Sequence, residues 1–250
     1  MSDFRLGILL KCIGVSALTA AMVACGNGTT TPVTSFPGVS SLSGSYVFSV
    51  AGTDSNDGDY SVLGSFVADG KGNITSAQAD YNLGSGVDAA VPLTGTYIVA
   101  DGAVVVSLTD GQSVKDSFTT SLVSSGTASI QNFDGTGSGT LYPQVTAGFT
   151  PAGTYSFSLK GEGDGTISGS GQVVVAASGA FTSGTVTLTD AQTSITYSTV
   201  SGLIGPTATS GRGFANIAGN NLAYYVIGPN QIQMLGLDER YLLTIPAQKM

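Results

Sequence analysis

From about Ser43 onward the chain alternates apolar and polar positions with a period of two. Tyr46, Phe48 and Val50 fall on one face of a stretch whose other face carries Val47, Ser49 and Ala51. Val104, Val106 and Leu108 repeat the pattern, as do Phe118 and Leu122. Such alternation belongs to strands with one buried face. Turn-forming pairs punctuate it at Asp69-Gly70, Asp101-Gly102, Asp110-Gly111, Ser125-Gly126 and Asp134-Gly135, where hairpins are expected. No stretch beyond residue 41 carries a helical stripe, so the reading is all-β.

The pattern then occurs a second time. "SGSYVFSVAG" at 43–52 returns as "AGTYSFSLKG" at 152–161, with Gly44, Tyr46, Phe48, Ser49 and Gly52 matching Gly153, Tyr155, Phe157, Ser158 and Gly161. Gly64, Gly72, Thr75 and Ser76 match Gly171, Gly179, Thr182 and Ser183, and 118–134 matches 222–238. A repeat of this length is a whole domain rather than a solenoid unit. Two tandem antiparallel β domains of about seven to eight strands are therefore predicted, at 42–145 and 150–250, with the boundary inside "QVTAGFTPAG", 144–153. Short hairpin connections favour a small β-barrel for each; a β-sandwich is the alternative, as is one two-sheet domain spanning both copies.

The first 24 residues follow another pattern. Arg5 and Lys11 precede an uncharged, mostly apolar run from Cys12 to Val23, too short for the roughly 30 Å bilayer core. The run ends on Met22-Val23-Ala24-Cys25, which is the layout of a signal peptide. These four residues resemble the lipobox of bacterial lipoproteins, with Met22 where Leu is typical. The resemblance implies cleavage after residue 24, acylation of Cys25 with palmitate or a similar chain, and attachment to a membrane through that lipid. An ordinary secretory cut leaving Cys25 free is the competing reading. Gly26 follows the cysteine where Asp would signal retention at the inner membrane, so the outer membrane or cell surface is expected. Residues 25–41, polar and holding Pro32 and Pro37, read as a flexible tether.

Composition removes several functions. The chain has no His and no Trp, and its two cysteines, Cys12 and Cys25, both fall in the N-terminal segment. Ser-His-Asp and Cys-His nucleophile systems, imidazole- or thiolate-bound zinc, and an internal disulfide in the mature chain are excluded. Without residues 1–24 there remain 15 acidic and 6 basic residues, net −9. With bases scattered singly, nucleic acid is not a partner.

Three constellations remain. "DSNDGDY", 54–60, gathers Asp54, Asn56, Asp57 and Asp59, hard oxygen ligands of the type Ca²⁺ takes. The loop does not fit the EF-hand spacing, and an acidic hairpin turn explains it equally. A carboxylate pair acting as general acid and base would make a glycosidase, but the acids cluster in turns. Tyr224 and Tyr225 are adjacent in a strand; matching Tyr224 to the Phe118 face turns it inward and Tyr225 outward, where it could contact a glycan or protein or simply pack on the sheet.

The "GSFVADGKGNIT" hairpin, the "LTGTYIV" strand and the "GRG…AYYV" block, with the Gly-x-Tyr-x-Phe opening strand, also resemble a family of uncharacterised lipid-anchored or secreted bacterial repeat proteins with Gly/Ser/Thr-rich β domains. The second copy departs from this pattern: "AASGAFT" replaces the Asp-Gly hairpin, and no clear "GTY" strand is present. The resemblance implies location and fold, and no site residues. The functional expectation is a lipid-anchored, non-enzymatic structural or binding module of the cell envelope; the alternative is a carboxylate-dependent hydrolase of surface polysaccharide.

Overall fold

The structure, a computed structural model, describes residues 42–54, 58–100, 102–111, 114–121, 126–162, 165–189, 193–239 and 241–250, without the side chains of 114 and 115. The expected signal segment 1–24, Cys25 and the tether to residue 41 lie outside the described residues. What is described is all-β, and both sheets fall within one compact unit.

The first copy is an up-and-down barrel. Strands β1 (Ser43–Asp54), β2 (Gly58–Asp69), β3 (Asn73–Asn82), β4 (Val87–Ala100), β5 (Ala103–Thr109), β6 (Val114–Ser121), β7 (Ala128–Phe133) and β8 (Gly137–Pro143) pair in chain order, and β8 closes on β1. The barrel, not the sandwich, is the outcome. Closure leaves no open sheet edge. Inside stand Tyr46, Phe48, Tyr60, Phe66, Tyr81, Tyr97, Phe118 and Phe133, all buried. Phe118 lies 5.7 Å from Phe48 and 5.9 Å from Phe133, centroid to centroid. Each buried Phe contributes about 1.5–3 kcal/mol by leaving water, and ring pairs at this spacing add about 0.5–1.5 kcal/mol. The rings' polar ends are satisfied: the Tyr97 hydroxyl donates to the Leu42 carbonyl at 2.8 Å, and the Tyr60 hydroxyl donates to that of Phe133 at 3.1 Å. Glycines make room for them. Phe48 lies across Gly64, where any side chain would strike the ring.

The second copy is a nine-stranded sheet made of β9 (Gly153–Glu162), β10 (Thr166–Val175), β11 (Phe181–Thr189), β12 (Ser194–Tyr197), β13 (Gly202–Thr207), β14 (Arg212–Ile217), β15 (Asn220–Gly228), β16 (Gln231–Gly236) and β17 (Leu242–Lys249). β9 pairs with β17 as β1 does with β8, and β12 and β13 form the two edges. These edge strands together occupy the place of β4. In the first copy Asn73 of β3 pairs with Thr96 of β4. Its repeat equivalent, the bridge between Ala180 and Leu203, survives in the second, supported by the Ile204 amide donating to the Gly179 carbonyl at 2.8 Å. The second copy thus keeps the strand order of the first as a nine-stranded half-barrel, with the place of β4 interrupted at 198–201. A two-residue turn at Ala218-Gly219, both with positive φ, joins β14 to β15 as the twist of a tight hairpin requires.

The two copies meet along an apolar seam. Val47 of β1 and Leu63 of β2 pack against Tyr225 and Ile227 of β15 and Leu235 of β16, all buried. Each copy nevertheless keeps its own interior core.

Candidate ligand-binding site

Strand registers align the interiors of the two copies position by position. Phe118 pairs with Val106, and Leu222 with Ala215; Tyr81 pairs with Val62, and Leu188 with Gly169. In the same frame Tyr60, Phe66 and Tyr97 correspond to Ile167, Val173 and Ile204, and Phe133 to Leu237. Of the eight interior rings of the first barrel, only Tyr46 and Phe48 keep aromatic counterparts, Tyr155 and Phe157. Six rings have become aliphatic side chains. Tyr224 at the position of Thr120 and Phe181 at that of Ile74 return ring volume at one end of the interior; toward the other end, around Ile167, Leu188 and Leu222, nothing replaces the lost rings.

The result is a cavity of about 480 Å³ inside the second copy, within the range that holds small ligands. Phe157, Leu159, Val186, Leu188, Ile217, Leu222, Leu243 and Ile245 form its wall, and Ile195 and Tyr197 of β12 stand half exposed at its lip. Thr193, Thr199, Asn220 and Tyr241 add neutral polar side chains, while the Thr189 hydroxyl pairs with that of Ser194 at 3.1 Å on the outer face. None of the described lining residues is charged.

The opposite end of the same barrel is plugged. Tyr224 takes the position of Thr120, its ring lying over Gly213 and its hydroxyl donating to the Gly205 carbonyl at 2.6 Å. Phe149 stacks obliquely on it with centroids 6.1 Å apart. The Lys249 ammonium sits 5.7 Å from the Phe149 centroid and 5.6 Å from that of Tyr155, and donates to the Thr150 carbonyl at 2.8 Å. Burial pushes the Tyr155 hydroxyl up to about 12 and the Tyr224 hydroxyl higher still, and it lowers the Lys249 ammonium.

The first barrel holds the mouth of this cavity in place. The Asn82 side-chain amide nitrogen at the end of β3 donates toward the carbonyls of Gly236, Asp238 and Tyr241, at 3.0, 2.9 and 3.1 Å. This fixes the turn that carries Tyr241. Farther along the seam Asp80, fully buried, accepts from Arg212 Nε at 2.8 Å and from its terminal nitrogen at 2.6 Å, from the Tyr225 hydroxyl at 2.8 Å and from the Ala90 amide at 2.9 Å. Four donors thus surround the carboxylate, which meets the requirement that a buried charge be paired and hydrogen-bonded. The Asp80 bond helps hold Arg212 charged, while burial and the neighbouring carboxylate push the Tyr225 hydroxyl well up.

The residues singled out in the sequence fare differently. Tyr225 does lie opposite Tyr224, but it is fully buried in the seam, which corrects the expectation of an exposed contact residue. The outward face of β15 is covered by the first barrel. Asp54 and Asp59 flank the β1–β2 hairpin, where Asp59 accepts from the Thr53 hydroxyl at 2.6 Å, while Asn56 and Asp57 lie outside the described residues. Among the described residues no three His, Cys, Asp or Glu side chains converge as metal ligands. The cavity was missed. Its signal was the pairing of Phe118 with Leu222, legible once the repeat is extended along every strand.

No protein-family profile matches the chain, and no curated protein matches it by sequence. Among solved structures it is similar to an AttH protein of Nitrosomonas europaea, with 7% identity over 82% of this chain and 92% of that one and a TM-score of 0.27. It is also similar to kievitone hydratase of Nectria haematococca, with 9% identity over 84% and 90% and a TM-score of 0.25. Likenesses this slight carry neither ligand nor activity to this chain.

Proposed function

We propose that the chain is an exported, lipid-anchored module of a bacterial envelope, at the outer membrane or cell surface, that binds a ligand rather than transforming one. The first barrel is the scaffold and the second takes the ligand. The observation that supports this division is the contrast between the interiors of two copies of one repeat, one filled with rings and the other opened into a cavity of about 480 Å³. The anchor rests on Met22-Val23-Ala24-Cys25 and on the absence of any cysteine beyond residue 25. Binding, unlike chemistry, needs no activated nucleophile, and a chain without imidazole is poorly equipped to make one near neutral pH.

Two experiments test the two halves. Labelled palmitate is expected to enter the protein in the producing cell, with Cys25→Ser abolishing label and releasing the chain from membranes; an unlabelled, membrane-free wild type contradicts the anchor. The mature, unacylated chain is expected to enhance the fluorescence of the neutral apolar dye N-phenyl-1-naphthylamine. Leu222→Phe and Ile167→Tyr, which restore rings of the first barrel, are expected to weaken the dye at least tenfold while Ile98→Ala, on the outer wall, leaves it unchanged. Dye binding indifferent to both filling variants contradicts the site.

A further inference from the structure

We infer that the ligand of the second barrel is an uncharged monoacyl lipid, such as an acyl glycerol or acyl alcohol, with its chain along the barrel axis and its head at the hydroxyl-lined mouth. This rests on the reading of the second barrel as the binding half.

The shape selects a chain. Ile245 and Leu243 line the cavity in successive inward positions of β17, about 7 Å apart at roughly 3.3 Å per residue, and Tyr241 continues the lining beyond them from a turn in which the Leu243 amide donates to its carbonyl at 3.0 Å. The deep end is closed by the Tyr155 and Tyr224 plug, which leaves entry from the Tyr241 end and from the adjoining break after β12, where Ile195 and Tyr197 are half exposed. The wall chemistry selects an aliphatic ligand. Three of the replaced ring positions, Ile167, Leu188 and Leu222, are aliphatic in the cavity wall beside Leu159, Val186 and Ile245, and a hydrocarbon chain adapts to such a wall by rotation about its own bonds. A sugar does not fit this interior, because its hydroxyls would be buried among Leu, Ile and Val side chains at a cost of about 1–3 kcal/mol for each one left unbonded.

The mouth selects the head. Thr193, Thr199, Asn220 and Tyr241 make the mouth polar and neutral, with the Asn220 amide donating to the Ile217 carbonyl at 3.2 Å, which suits a glycerol or ester head that exchanges hydrogen bonds without carrying charge. A carboxylate or phosphate head calls for Arg or Lys in bonding reach, and the described lining supplies neither.

The test is displacement of N-phenyl-1-naphthylamine from the mature, unacylated chain by monoacylglycerols of increasing length, with the matching fatty acids, an anionic lysophospholipid and phenanthrene as parallel arms. Affinity is expected to rise about fourfold per added methylene until the chain outgrows the cavity, with the fatty acid and lysophospholipid at least tenfold weaker at equal length. Leu222→Phe is expected to bring the plateau to a shorter chain. Ile167→Tyr serves as the second variant, both being checked for a cooperative melt. A charged lipid or phenanthrene displacing the dye as well as the acyl glycerol overturns this inference and leaves the binding reading standing. Dye that never binds overturns both.

Discussion

At the scale of single residues the decisive fact is that outward-facing side chains are not all exposed. Asp80 points away from its own barrel yet is fully buried, because Arg212 and Tyr225 close over it. Arg212→Ala leaves that carboxylate buried without its cation, and a loss of about 3–5 kcal/mol in urea unfolding is expected; a loss below 1 kcal/mol contradicts a dry pair. Alternation alone placed Tyr225 opposite Tyr224, and correctly. What covers it comes from β3, far earlier in the chain, and no local period reports a contact of that range. The tyrosines also set a pH limit. Burial raises the hydroxyls of Tyr46, Tyr60, Tyr81, Tyr97, Tyr155, Tyr224 and Tyr225 above 10. A raised folded value means that the neutral ring is the stable form, so its contribution is intact below pH 10 and lost as pH climbs, for Tyr155 through about 12. Tyrosinate absorbance is therefore expected to rise in one step together with loss of the β circular dichroism signal; a smooth titration near pH 10 of most rings contradicts their burial.

At the scale of elements, strand existence and turn positions were largely legible, since a period of two interrupted by Asp-Gly pairs has few other meanings. The extra strand of the second copy had a trace as well. "LTGTYIV" of β4 has no clear counterpart after residue 197, and there the second barrel breaks into β12 and β13. What could not be read was the consequence for volume, which depends on how many rings share one interior. The first barrel's packing yields a direct check: Phe118→Ala removes a ring in contact with Phe48, Phe66 and Phe133, and a loss of about 3–5 kcal/mol is expected. Leu222→Ala, at the equivalent site beside an existing cavity, is expected to cost less than that range in the same urea titration.

At the scale of the whole molecule, a closed first barrel with its own core is expected to fold without its partner. A fragment of residues 42–145 should melt cooperatively with a β spectrum, at a lower temperature than the full chain because Val47, Leu63 and Asp80 lose their cover; a fragment with no cooperative transition contradicts separate cores. The seam also joins unlike faces of like domains, β1–β3 of the first to β14–β16 of the second. Such head-to-tail contact has no internal stop and, repeated, grows a filament. Termination is written into the two unused faces. Where the seam has Val47, Leu63 and Asp80, the second barrel carries Ser156, Ser170 and Thr187, and where it has Tyr225 and Leu235, the first carries Ser121 and Gln131. At these positions each outer face is polar where the seam is apolar, as in the terminal repeats of solenoids, so a third unit would meet no matching apolar surface there.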